Sequence, residues 1–142
     1  MVLAFGSIPT VGAIVQQCTV LIFDIMELTK ESLFAKVKAN AVISIESEVE
    51  PMSYEDEFDE DGIKAVEQAI ENNYQWGWCS VHVTAKYSGL VGEDWLGGCS
   101  YKSEQDFIDN SGYYQDMMDT ALQDLVNQIW EVLEQLEIVS SI

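Results

Sequence analysis

The sequence is strongly acidic and has little to balance that charge. Its 142 residues include 25 aspartates and glutamates, six lysines and no arginine, which gives a formal net charge of −19. Nine of the sixteen residues in the segment 46–61 are acidic. Most carboxylates therefore have no cationic side chain to pair with, and unpaired charges are costly to bury. Any fold that this chain adopts must keep them at its surface.

The same charge restricts the partners of the chain. Binding to a nucleic acid or to an anionic membrane depends on lysines and arginines that neutralise phosphates. We therefore expect no direct contact with nucleic acid or membrane, and a basic partner, above all a nucleic-acid-binding protein. Apolar residues make up 48% of the chain, including four tryptophans, so it can form a substantial core. The composition predicts an acidic folded domain rather than a disordered tail.

The chain divides into two parts by composition. Residues 1–25 carry one charge, Asp24, and contain short apolar runs. They lack the basic start of a signal peptide and are too interrupted for a transmembrane helix, so we interpret them as an extension or an added strand. Residues 26–142 are predicted to form a single acidic domain. An odd number of cysteines, three, argues against a secreted disulfide scaffold and favours the cytoplasm.

Helical periodicity and capping residues predict the helices of this domain. The helical segments are residues 30–39, 62–72 and 112–138. Thr29 can cap the first of them, and either Asp59 or Asp61 the second, because short polar side chains accept hydrogen bonds from free amides at helix starts. Ser103 can cap a further short helical turn. The last helix is long and amphipathic, which predicts that it packs across a sheet.

Alternating patterns predict three strands, at residues 41–50, 79–87 and 91–101. In the first strand, Ile43, Ile45 and Val49 are expected to point inward. Gly89 near the centre of a hairpin places 79/99, 81/97 and 83/95 in register, and a glycine pair at 97–98 suggests a bulge. The order of elements predicts an α+β fold: a small antiparallel sheet with a central hairpin, packed by a long C-terminal helix and two shorter helices.

The acidic segment, residues 46–61, is the principal candidate binding surface. Alternate strand residues lie about 6.6 Å apart at roughly 3.3 Å per residue, a spacing similar to that of successive phosphates along a DNA strand. This pattern is typical of a DNA mimic that competes for the cationic groove of a DNA-binding protein. An ordinary solvated acidic surface is the alternative. The candidate residues are Glu46, Glu48, Glu50, Glu55, Asp56, Glu57, Asp59, Glu60 and Asp61.

Two other kinds of site receive weaker support. Aligning Gly62 with the invariant glycine of a calcium-binding EF-hand places Glu57, Asp59 and Asp61 at ligand positions, but the twelfth position is Gln68 instead of a bidentate glutamate. At most a weak calcium site is expected, and no cofactor. Cys79 and Cys99 are expected to lie opposite each other as small core residues, with a cross-strand disulfide or redox pair as the alternative. They do not make a zinc site, because His82 points to the other sheet face.

No arrangement of residues predicts catalysis, so the chain is not expected to be an enzyme. The single histidine, His82, has no serine or cysteine partner on its face other than Ser80, and carboxylate pairs are too common here to be informative. Trp76, Trp78 and Trp95 are interpreted as core residues or as apolar anchors of a protein interface. A second hypothesis is that the protein oligomerises, for example as a homodimer, through the apolar stripe of its C-terminal helix. The stripe consists of Tyr114, Met118, Ala121, Leu125, Ile129, Val132 and Leu136.

One region resembles known proteins. The stretch 76–101, WGWCSVHVTAKYSGLVGEDWLGGCSY, with Asp106, Phe107 and GYYQDM at 112–117, is similar to small acidic proteins of unknown function encoded by bacteriophages and plasmids. The resemblance covers roughly residues 76–125 and carries over no catalytic residue. It implies a bacterial host cytoplasm, where acidic proteins that inhibit nucleases or defence complexes are a recurrent type.

Overall fold

The computed structural model describes residues 28–139, so the predicted N-terminal segment, residues 1–25, lies outside the described residues. Within the described part, the chain forms an α+β fold of five helices and a three-stranded antiparallel sheet. The elements are α1 (Lys30–Asn40), β1 (Val42–Val49), α2 (Glu60–Asn72), α3 (Tyr74–Gly77), β2 (Cys79–Tyr87), β3 (Leu90–Cys99), α4 (Glu104–Asn110) and α5 (Tyr114–Gln135). A 3-10 turn, Tyr54–Asp56, lies between β1 and α2.

The sheet has the order β1-β2-β3, with β2 in the centre. Helix α5 packs on β2 and β3, α1 packs against α5, and α2 packs against α3. The predicted architecture of a hairpin packed by a long C-terminal helix is therefore confirmed. The sequence did not predict α3, a single turn that Asn73 caps by accepting a hydrogen bond from the Gln75 amide.

Helix starts follow the predicted caps. Thr29 and Ser32 form a capping box at the start of α1. At the start of α2, the Asp59 carboxylate accepts a hydrogen bond from the Gly62 amide at 2.8 Å, so the cap is Asp59 and not Asp61. Ser103 caps α4 through the Asp106 amide. These local signals are readable from sequence because each involves residues only three positions apart.

The core lies between the sheet and α5. It is built from one face of β2, from α5, from Leu33 and Val37 in α1, and from Trp76, Cys99 and Phe107 in α3, β3 and α4. Its fully buried larger side chains are Val37, Cys79, Val81, Val83, Phe107, Leu125 and Val126. The alternation predicted for β2 is confirmed, because its odd-numbered residues from Cys79 to Ala85 are all buried.

The register of the hairpin differs from the prediction. Cys79 does lie opposite Cys99, but the strands are shifted beyond this pair, and Val81 faces Leu96 instead of residue 97. The cause is the bulge between Cys79 and Val81, where Gly98 adopts a positive φ of 66°. One extra residue in a strand moves all later pairs by one position. The glycine pair predicted the bulge correctly, whereas the predicted pairing around it was wrong.

The prediction that Val49 points into the core is also wrong. Ile43 and Ile45 pack against the core, but Val49 is 77% exposed. Val49 lies on the same sheet face as Cys79, its partner in β2. It ends the edge strand β1, however, where α5 does not cover the sheet. Alternation assigns a residue to a face but not to the part of that face which a helix covers.

Candidate functional site

The two faces of the sheet have different surroundings. One face packs on α5, and a Cβ atom at Gly92 in β3 would meet the backbone of Ala121 and Leu125 in that helix. The side chains that alternate with these core residues form the opposite face, which we call the open face. Its residues are Val42, Ser44, Glu46, Glu48, Ser80, His82, Thr84, Lys86, Val91, Glu93 and Trp95. The open face is therefore a mixed surface in which carboxylates and one tryptophan stand among small polar, apolar and basic side chains.

The predicted acidic residues are spread over β1, the following loop and the start of α2. Eight of the nine are exposed. Glu46 and Glu48 lie on the open face, and the loop and first helical turn carry Glu55, Asp56, Glu57, Asp59, Glu60 and Asp61. The last three are favourably placed, because the positive end of the helix dipole stabilises carboxylates in the first turn.

Glu50 is the exception, because its carboxylate is bound within the protein. It accepts hydrogen bonds from the Ser80 hydroxyl at 2.7 Å, the Gly98 amide at 2.8 Å and the Met52 amide at 3.1 Å. These bonds, the one from the Gly98 amide most of all, hold the pKa of Glu50 below its ordinary value. Glu50 therefore connects the end of β1 to the bulge in β3 and is not free to bind a partner.

Trp78 holds the acidic loop against the end of the open face. Its indole N–H donates to the Met52 carbonyl at 2.7 Å. The rings of Tyr54 and Phe58 pack edge-on against it, with centroids 5.8 and 5.9 Å from the Trp78 ring. Trp78 is buried, as the sequence suggested, but its role in positioning the loop requires contacts across twenty or more residues and was not predicted.

The acidic segment lacks internal charge compensation. Among residues 28–139 the single contact within 4 Å between a basic and an acidic side chain joins His82 Nε2 to Glu93 Oε2, at 2.9 Å, and it is an ion pair only when the imidazole is protonated. The lysines in this part of the chain therefore neutralise none of its carboxylates at contact distance. An uncompensated surface of one sign attracts oppositely charged molecules and increases their association rate.

An aromatic pair stands in the middle of the open face. The rings of His82 and Trp95 are stacked, with centroids 3.7 Å apart and planes 7° from parallel. The Glu93 carboxylate contacts Nε2 of the His82 ring. Trp95 is 44% exposed, whereas Trp76 and Trp78 are buried. The predicted register paired residue 95 with Val83 on the core face, whereas the shifted register pairs Trp95 with His82 and so places it on the open face. The sequence alone did not indicate that the face would remain uncovered.

The two cysteines lie together as predicted, on the core side of the sheet. Both are free thiols, and their Sγ atoms face the carbonyls of Trp76 and Leu96. Burial raises the pKa of Cys79 to about 12 and that of Cys99 to about 11. The thiols are therefore protonated and weakly nucleophilic at neutral pH. A disulfide or redox role for this pair stays a prediction.

No group of three or more potential metal ligands is positioned around a common point in the part of the chain that the structure describes. Of the weak calcium candidates Glu57, Asp59 and Asp61, the Asp59 carboxylate already accepts the helix-capping bond from Gly62. Its oxygen is held toward the helix amides, which is the common reason for aspartate at such positions. The calcium hypothesis receives no further support from this geometry.

A cleft of about 450 Å³ opens between the start of α2 and the end of β3. Its titratable lining groups include Cys99 and Tyr101, and burial raises the pKa of each. Both groups are therefore neutral at pH 7, and the cleft gains no nucleophile or general base from them. Phe58 and Tyr113 also line it, which makes it an aromatic recess beside the acidic segment.

Comparison with known proteins finds no matching family model and no significant match among curated proteins or solved structures. The resemblance of residues 76–125 to phage and plasmid proteins therefore stays a prediction. Within residues 28–139, none of the helices has the length and apolar character that would let it cross a membrane.

Proposed function

We propose that this protein is a binding protein without catalytic activity, and that its acidic surface engages a basic, nucleic-acid-binding protein. By occupying the cationic groove of that partner, it would act as a DNA mimic or an inhibitor of a defence nuclease in a bacterial cytoplasm. The observation that supports this proposal is the uncompensated charge of the acidic segment. Eight of its nine carboxylates are exposed, and none of them is paired with a lysine within the described residues.

The arrangement of these carboxylates agrees with such a role. Glu46 and Glu48 project from a rigid strand, while the loop carrying Glu55, Asp56 and Glu57 is tied to the sheet through Trp78. Charges held on an ordered framework lose less conformational entropy on binding than charges on a flexible tail. Glu50, with its internal hydrogen bonds, belongs to this framework and not to the binding surface.

The experiment is a pull-down from bacterial lysate with three forms of the protein. The test variant converts the eight exposed carboxylates to amides and leaves Glu50 intact; Asn at position 59 preserves the helix cap. The matched control converts eight exposed carboxylates elsewhere, at Glu31, Glu67, Glu71, Glu104, Asp109, Asp116, Glu131 and Glu137. Both variants raise the net charge by the same amount. A difference between them therefore reports where the charge was removed and not how much was removed.

We expect wild type and control to recover the same nucleic-acid-binding proteins at low salt. Recovery should fall steeply at 0.5 M NaCl, because the Debye length shrinks to a few ångströms at that ionic strength. The test variant should recover none of these partners while keeping its fold by circular dichroism. Equal recovery by the two variants would contradict a specific role for the acidic segment.

A second candidate function is self-association through the C-terminal end of α5. Leu136 is 63% exposed, and Val132 and Ile138 beside it are also exposed, so apolar surface continues past the core. Leu125, by contrast, is fully buried. Replacing it would unfold the domain instead of testing an interface.

Leu136→Glu should turn a dimer into a monomer in sedimentation equilibrium, with Glu137→Gln as control. A wild-type protein that is monomeric at about 100 µM would contradict this candidate, because even a weak dimer with a Kd of about that concentration would be detected.

A further inference from the structure

From the open face we infer that Trp95 is the anchor of the proposed interface, and that it receives an arginine side chain of the basic partner. This inference rests on the proposed function and adds the site at which a partner cation is recognised. Helix α5 packs on the core face of the sheet and leaves the open face, on the opposite side, uncovered. An exposed tryptophan in such a surface is the residue type that most often dominates binding energy at interfaces.

Trp95 is held in place before any partner arrives. His82 stacks on one face of its indole ring at 3.7 Å, and Glu93 fixes His82 through the 2.9 Å contact to Nε2. Both residues come from paired strands, in which Trp95 and His82 are direct partners. An aromatic side chain that is already ordered loses little rotamer entropy when it binds.

The outer side of Trp95 is suited to a cation. Strand β3 is an edge strand, so no further strand covers the ring from that direction within the described residues. The negative face of an indole attracts guanidinium and ammonium groups, and arginine can also stack on it as a planar group.

The surroundings of the ring have complementary charge. Glu46 is the direct strand partner of His82, and directly paired residues have their Cβ atoms about 5 Å apart. Glu93 lies two positions before Trp95 on the same face, and Lys86 is the one lysine among the residues of the open face. Glu93 is therefore the carboxylate nearest to an arginine on the outer side of Trp95, and Glu46, which lies beyond His82 on β1, adds negative potential across the open face.

The probe for this inference is an unstructured octa-arginine peptide, with octa-lysine of the same charge for comparison. In a ¹H–¹⁵N NMR titration at low salt, octa-arginine should shift the Trp95 indole signal and the amides of residues 46, 82 and 93. Trp95→Leu should weaken octa-arginine binding about fivefold and should remove the preference for arginine over lysine. Tyr74→Leu is the control, because Tyr74 is 70% exposed but lies on α3.

The outcomes separate this inference from the proposed function. Salt-sensitive binding with shifts confined to residues 55–61 would overturn the role of Trp95 and leave the proposed function standing. Absence of binding to either peptide at low salt would overturn both. If Trp95→Leu does not fold, Glu46→Gln with Glu48→Gln provides the second test, against Glu104→Gln with Glu131→Gln. Equal loss of octa-arginine affinity in these two double variants would contradict an arginine site at Trp95.

Discussion

At the level of single residues, Glu48 and Glu50 belong to the same alternating pattern, but their carboxylates have different surroundings. Glu48 is exposed, whereas the carboxylate of Glu50 accepts three hydrogen bonds from Ser80, Gly98 and Met52. Two of these donors are backbone amides that only the bulge and the loop bring near. Glu50 therefore acts as a structural residue among residues that we propose to bind a partner.

Replacing Glu50 should destabilise the domain. Glu50→Ala removes the acceptor for the three donors, and we expect the free energy of unfolding to fall by about 2 kcal/mol at pH 7. Glu48→Ala is the control, and its effect should stay within about 0.5 kcal/mol, as for other exposed side chains. Urea denaturation followed by tryptophan fluorescence measures both. Equal stability of the two variants would contradict the structural role of Glu50.

The effect of Glu50 should also depend on pH. Its pKa in the folded protein lies below the ordinary value, so it stabilises the fold above the pKa of an unfolded glutamate. That contribution is lost as the pH falls from about 4.3 through the folded pKa. The stability difference between wild type and Glu50→Ala should therefore narrow between pH 5 and pH 3. A difference that is constant over this range would argue against a charged hydrogen-bonded carboxylate.

Cys79 and Cys99 should be unreactive thiols in the native protein. Burial raises the pKa of Cys79 to about 12 and that of Cys99 to about 11, so little thiolate is present at pH 8. In a Cys18→Ser background, a disulfide-exchange reagent such as DTNB should detect almost no thiol in native protein and two in guanidinium. Fewer than two thiols after unfolding without reductant would instead indicate a Cys79–Cys99 disulfide.

At the level of elements, the contact between α5 and β3 depends on a missing side chain. A Cβ atom at Gly92 would lie 2.0 Å from the Ala121 carbonyl oxygen and 2.5 Å from the Leu125 amide nitrogen. Both are backbone atoms of a long helix, so they cannot move aside as a flexible side chain would. Gly92 therefore sets how closely α5 approaches the sheet.

We expect Gly92→Ala to reduce the free energy of unfolding by about 3 kcal/mol, at the upper end for overpacked cores, because the whole helix must shift. Val91→Ala is the neighbouring control, since Val91 lies on the open face and is partly exposed. It should cost less than about 1 kcal/mol. A thermal melt followed by circular dichroism compares the two. Similar melting temperatures for these variants would contradict the close packing of α5 on β3.

At the level of the whole molecule, the dominant quantity is a formal net charge of −19, and no lysine pairs with a carboxylate within 4 Å among the described residues. Carboxylates that have no cationic partners repel one another in the folded state, and this repulsion is screened by salt. Salt should therefore stabilise the protein, in contrast to a protein held together by surface ion pairs.

Raising NaCl from 20 mM to 500 mM should increase Tm by about 3–6 °C, which corresponds to about 1–2 kcal/mol for a domain of this size. The variant with eight amides in place of the exposed acidic-segment carboxylates should gain less, because less repulsion remains to be screened. Differential scanning calorimetry at the two salt concentrations measures both proteins. A Tm that falls with salt would show that attractive charge interactions outweigh the repulsion.

The sequence by itself determined the features that depend on neighbouring residues. The caps at Thr29, Asp59 and Ser103, the hairpin centred near Gly89 and the buried side of β2 all follow from spacings of two to four positions. The exposure of most acidic residues also follows from sequence, because a chain with six lysines cannot pair 25 carboxylates. Those parts of the fold and of the candidate surface were predicted correctly.

Tertiary structure decided what depends on which surfaces meet. The shifted register places Trp95 on the open face, which the packing of α5 on the other side leaves exposed, and the limited extent of that helix leaves Val49 uncovered. The shifted register and the internal bonds of Glu50 arise from a bulge that joins distant segments. Side-chain alternation specifies a face, whereas burial depends on long-range contacts between elements that no local pattern contains.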